Sequence, residues 1–158
     1  MKKIILLATL LMTLSKTTII AQVTSQSLTK DEALVIQAAN WVETTDLDKE
    51  LEKRKEINSI VLKWYIDTIT LNMSLVEKLS TINEGNSEFL MIFFAGYSRY
   101  FIENKKNITN LAATKAGLIS VMKVYKKGIG VTKSQEIEKL IKLTDENKLE
   151  DYIKTNFD

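Results

Sequence analysis

The sequence predicts an all-α protein, a compact orthogonal bundle of about six to seven helices around a central aromatic helix at residues 87–104. Three observations carry this expectation. Proline is absent and glycine occurs only five times in 158 residues, so little punctuates the helical pattern. Apolar residues recur at three- and four-residue spacing in nearly every segment, whereas strand-like alternation is scarce. Ser or Thr followed three residues later by Glu or Gln recurs ahead of these segments, the spacing at which two side chains satisfy each other's backbone amides at a helix start.

The first residues are set aside before the fold is read. Lys2 and Lys3 precede an apolar run from Ile4 to Leu14, and Ile19-Ile20-Ala21 offers a cleavage site before Gln22. Residues 1–21 are therefore expected to be a secretory signal peptide and residues 22–158 a single helical domain, periplasmic or secreted after cleavage near Ala21-Gln22. The apolar run is too short to span a bilayer, so no membrane span is expected in the mature chain. Cleavage removes Lys2, Lys3 and Lys16 and no acid, turning a net charge of +2 into about −1. No nucleic-acid partner is expected, and Lys105, Lys106, Lys123, Lys126, Lys127 and Lys133 read as solvated groups beside helix ends. With no cysteine, stability rests on packing, and the lipid-bearing thiol of a lipoprotein is absent.

Thr29 to Glu32 has capping-box spacing, so the first helix is expected there and runs to about Thr44, with Ala33, Ile36 and Trp41 nearest the core. Asp46 is expected to cap a second helix that turns Leu47, Leu51, Ile57, Val61 and Trp64 inward. Its charge run from Lys49 to Glu56, including a Glu50–Arg54 pair one turn apart, reads as a solvated face. The β-branched stretch IDTITLN predicts a break near Thr68 to Met73, and Ser74 to Glu77 a new capping box. A short third helix then reaches Ile82 before a turn centred on Gly85.

From Ser87 to Glu103 the helix is apolar all round, which marks a buried central helix; Glu88 and Arg99 bracket too short an uncharged run for a membrane span. Gly96 weakens such a helix by about 1 kcal/mol relative to alanine, which predicts close approach of another backbone. The expected neighbour is the helix from Leu111 to Tyr125, whose Ala112, Ala113, Ala116 and Gly117 form a small-residue face. Gly128 reads as its left-handed cap after Lys126 and Lys127. Thr132 and Gln135 read as another capping box, followed by a helix carrying Ile137, Leu140, Ile141 and Thr144. Asn147 takes a left-handed turn, and Leu149, Tyr152 and Ile153 mark a short closing helix folded back as a lid.

Histidine is entirely absent, which excludes a Ser-His-Asp triad, an imidazole base and a His-bearing zinc site. The stretch TDLDKELE lacks the glycine and spacing of a calcium loop, and Gly128-Ile129-Gly130 lacks the lysine of a phosphate loop. Glu88, Glu103 and Asp67 are the acids nearest apolar sequence, and each reads as a helix cap or ion-pair partner rather than half of a hydrolytic pair. No catalytic residue, metal or cofactor is expected. Arg99, one of two arginines, lies among aromatics and is expected to reach Glu103 one turn on. Trp64, Tyr97, Arg99 and Tyr100 are the candidate binding residues, because Arg, Tyr and Trp dominate protein interfaces.

Through an F-x-x-G-x-x-x-Y helix, here Phe93, Gly96 and Tyr100, followed by AGLISVMKVYKK and a closing IEKLIKL…KLEDYI, most of the mature chain resembles secreted bacterial all-helical proteins. That resemblance implies no activity. More remotely, the aromatic-Ala-Gly-Tyr helix with its VMKVYKK successor is similar to periplasmic immunity proteins that neutralise cell-wall amidases, and to small acid-stress chaperones of that compartment. Those families are usually stapled by a disulfide, which this chain lacks, and no functional residue is carried over. The expectation is a non-enzymatic exported protein that binds an unknown protein partner, as an inhibitor or immunity factor. The alternative is a carrier of an apolar small ligand or a periplasmic chaperone, and a homodimer stays open.

Overall fold

The computed structural model describes residues 28–69 and 73–157, with the side chains of Met73 and Ser74 also left undescribed. The expected signal peptide and its cleavage site lie outside these residues. Among the described residues there are seven helices and no strand: α1 (Lys30–Thr44), α2 (Leu51–Thr68), α3 (Met73–Asn83), α4 (Phe89–Glu103), α5 (Asn110–Lys127), α6 (Gln135–Asp145) and α7 (Leu149–Asn156). The architecture is an all-α bundle with α4 at its centre, packed against α1, α2, α3 and α5, while α6 and α7 cover α5. None of these helices is long and apolar enough to cross a membrane.

The centre is formed by aromatic rings and two glycines. Phe89, Phe93, Phe94 and Tyr97 are all nearly inaccessible. The Tyr65 ring of α2 lies 4.4 Å from Phe94 and 5.6 Å from Tyr97, and Phe93 lies 6.0 Å from both Phe94 and Tyr97. A Cβ added at Gly96 would lie 2.1 Å from Ser120 Oγ, and one at Gly117 2.6 Å from the Phe93 ring. Each glycine of the α4–α5 crossing thus makes room for a side chain of the other helix.

The first helix starts as its capping box requires: Thr29 Oγ1 accepts from the Glu32 amide at 3.2 Å, and Glu32 Oε2 accepts from the Thr29 amide at 2.9 Å. Its buried face differs from the expected one. Val35, Ala38, Ala39, Val42 and Glu43 go inward, while Ala33, Ile36 and Trp41 stay half-buried. The 35-38-39-42 series has the same helical spacing, and its two alanines let α4 come close, which a tryptophan at the seam would prevent.

The second helix begins at Leu51, not after Asp46. Glu50 precedes it at φ +48° with no side-chain cap, Leu47 is buried in the connecting loop, and Leu51 is exposed. Arg54 overturns the reading of a wholly solvated charge face: it is 1 % exposed. Its Nη2 donates to the carbonyls of Thr45 (3.1 Å) and Asp46 (2.9 Å), fastening the α1–α2 turn to the helix. Glu50 pairs instead with Lys53 at 3.0 Å.

Further along, α2 ends at Thr68 and α3 begins at Met73, so Ser74 lies inside the helix it was expected to cap. Gly85 takes φ +71° in the following turn. The start of α6 is also displaced: Ser134, not Thr132, accepts from the Ile137 amide. The Asn86 side chain holds Thr132 outside the helix, donating to its carbonyl at 3.0 Å and accepting from its amide at 2.8 Å. Gly128 (φ +70°) and Asn147 (φ +57°) end α5 and α6 as left-handed residues. Leu149 and Ile153 bury the inner side of α7 against the bundle.

A candidate interaction face on the α1–α2 hairpin

A buried carboxylate anchors the hairpin to the core. Glu43, 2 % exposed at the end of α1, accepts from Arg99 Nη2 of α4, from Ser120 Oγ of α5 at 2.6 Å and from Lys123 Nζ of α5 at 2.8 Å. Burial by itself raises the Glu43 pKa, but the hydrogen bonds from Arg99, Lys123 and Ser120 outweigh it and hold the carboxyl below its ordinary value. Arg99 also donates to Asn40 Oδ1 at 2.9 Å, and Lys127 Nζ to the Thr44 carbonyl at 2.7 Å. Arg99 therefore turns to α1 and not to Glu103, because the buried carboxylate offers a desolvated partner where Glu103 is solvated.

With one side of the hairpin committed to α4 and α5, the seam between α1 and α2 opens outward. Two cavities lie along it. One of about 470 Å³ is floored by Leu34, Val35, Ile60 and Trp64 and lipped by Asp31, Lys63 and Asp67. The other, about 210 Å³, is lined by Leu34, Gln37, Trp41, Ile57 and Ile60. Leu34 and Ile60 belong to both, so the two are continuous, and each keeps 40 % of its surface exposed. At the far end Lys53 Nζ and Arg54 Cζ each lie 5.1 Å from the Trp41 ring centroid, placing two cations against one indole. Glu32 is tied to Lys105 at 2.6 Å, and Lys63 pairs with Asp67 on the lip.

Of the four candidate binding residues, the structure brings only Trp64 to this face, half-buried and edge-on to Phe101 at 6.1 Å. Tyr97 is 4 % exposed, and its hydroxyl donates to Asn110 Oδ1 at 3.4 Å; burial raises its pKa, as it raises that of Tyr65 to about 12. Arg99 is held by Glu43, and Tyr100 is half-buried, its carbonyl accepting from both nitrogens of Asn104. Sequence reading missed Leu34 and Ile60. The signal was an excess: α1 carries Leu34, Ile36 and Trp41 beyond the series that one inward face can bury.

The acids near apolar sequence are dispersed. Glu88 accepts from Asn58 Nδ2 at 2.8 Å and Asp67 pairs with Lys63, while Glu88, just ahead of α4, and Glu103, its last residue, are fifteen residues apart, about 22 Å by helical rise. Among the described residues no three metal-ligating side chains gather into one cluster. Comparison with models of known protein families, with curated proteins and with solved structures finds no match to this chain in any of the three.

Proposed function

We propose that the protein is a non-enzymatic exported binding protein that recognises another protein through the α1–α2 face, as an inhibitor or immunity factor does. The observation that supports this reading is the continuous apolar seam through Leu34, Ile57, Ile60 and Trp64, left open although the rest of the hairpin is anchored to the core. Its shape suits a helix laid into a groove between two others, with apolar side chains every third or fourth residue filling the cavities. The α4 rings on which a carrier would depend pack on one another and on α5, which favours the protein partner. Export rests on the basic start, apolar run and small-residue site of residues 1–21.

The test is site-specific photocross-linking in the producing cell, with the cross-linker placed in turn at Leu34, Ile60 and, on α5, at the exposed Ile119. An adduct with a protein other than this chain, identified by mass spectrometry, should form from positions 34 and 60 and not from 119, and Trp64→Glu should abolish it. Adducts from position 119 alone, or none from the hairpin, overturn the reading.

A further inference from the structure

The hairpin face is oppositely charged at its two ends. Asp31 lines the end formed by the start of α1 and the finish of α2; it makes no ion pair among the described residues, feeling only a longer-range attraction to Lys63. At the other end Lys53 holds its ammonium against the Trp41 ring, its side chain half exposed and its only ion-pair partner among the described residues the solvated Glu50. Asp31 and Trp41 are ten residues apart on α1, about 15 Å. Between these ends Leu34 and Ile60 join the two cavities.

A face built in this way is complementary to itself. A two-fold axis lying in the face and running across the helices brings the acidic end of one chain onto the basic end of another and stacks the apolar middles. We infer that this face pairs two copies of the chain, Asp31 of each meeting Lys53 of the other around a centre of Leu34 and Ile60, and that self-pairing regulates partner binding by covering the same seam. The regulatory half of this inference rests on the protein-binding reading above; the pairing itself does not. The face is about 22 Å long and about 20 Å wide, roughly 440 Å² in projection. This falls short of the roughly 800 Å² per copy usual in a stable complex. The dimer is therefore weak and exchanges readily, as a cover that a partner displaces must.

Sedimentation velocity of the purified chain across the micromolar range tests this. The wild type should pass from monomer to dimer with rising concentration. Asp31→Lys and Lys53→Glu should each weaken the dimer about tenfold, and the double variant, with the charges exchanged, should restore it. Ile60→Glu should leave a monomer of unchanged helicity, since Ile60 is already 40 % exposed in the folded chain. A wild type monomeric throughout, a dimer indifferent to Ile60→Glu, or a charge exchange without rescue overturns the inference. A monomer that still cross-links its partner from position 60 sinks the dimer and spares the protein-binding reading; a dimer with no partner adduct does the reverse.

Discussion

Replacing Gly96 by alanine puts the crossing of α4 over α5 to a direct test. The added methyl would lie 2.1 Å from Ser120 Oγ, 2.7 Å from Ser120 Cβ and 3.0 Å from the Ala116 carbonyl oxygen. A rotamer change of Ser120 relieves only the first contact; the other two belong to the body of α5, so the helices must part. Such overpacking costs about 1–3 kcal/mol. Turning Ser120 away from Glu43 removes a hydrogen bond to a charged group, about 1.5–3 kcal/mol more. Alanine returns about 1 kcal/mol as the better helix former. The balance is a loss of about 1.5–5 kcal/mol, roughly 6–20 °C in Tm for a chain of this size. Far-ultraviolet circular dichroism during heat and urea unfolding measures it. Gly128→Ala is the control, because nothing lies within 4 Å of that Cβ and only its φ of +70° resists the side chain, at about 1 kcal/mol. A Gly96→Ala protein as stable as wild type, or less affected than Gly128→Ala, would refute the close crossing.

Two further perturbations probe the buried charges. Glu43→Gln keeps the shape but leaves Arg99 and Lys123 without their counter-charge, and should cost about 2–3 kcal/mol at neutral pH, discounted because both cations are partly solvated. Since the folded Glu43 pKa lies below its ordinary 4.5, its contribution is complete above that value and is lost as pH falls through the folded value. Denaturation midpoints followed below about pH 5 should therefore fall more steeply for wild type than for Glu43→Gln, and parallel curves would contradict the network. Arg54 is buried with Nε and Nη1 lacking a hydrogen-bond partner among the described residues, so Arg54→Met should leave stability within about 1 kcal/mol of wild type or raise it. A loss above about 3 kcal/mol in urea titration would mean that the guanidinium is fully compensated.

Much of the backbone plan was legible in local chemistry. The Thr29–Glu32 box, the turn at Gly85, the left-handed Gly128 and Asn147 and the all-round apolar run of α4 are decided by residues within a turn or two of each other, and all stand where the sequence places them. The Gly96 crossing was legible for a related reason: a glycine in a well-packed helix is unfavourable unless something occupies the missing Cβ's place. Readings failed where a long-range partner competed with the local one. Asn86 holds Thr132 out of α6 from forty-six residues away, the Thr45 and Asp46 carbonyls draw Arg54 inward, and Glu43 takes Arg99 from its neighbour Glu103.

By itself, then, the sequence determined that the chain is helical, where most helices stop, and which one is central, because capping, handedness and periodicity act over one or two turns. Only the tertiary structure decided which side of α1 faces the core, which charges are desolvated, and that Leu34 and Ile60 remain in the open. Those outcomes depend on the order in which several helices compete for the same buried area, and a one-dimensional pattern with two plausible apolar faces does not rank them.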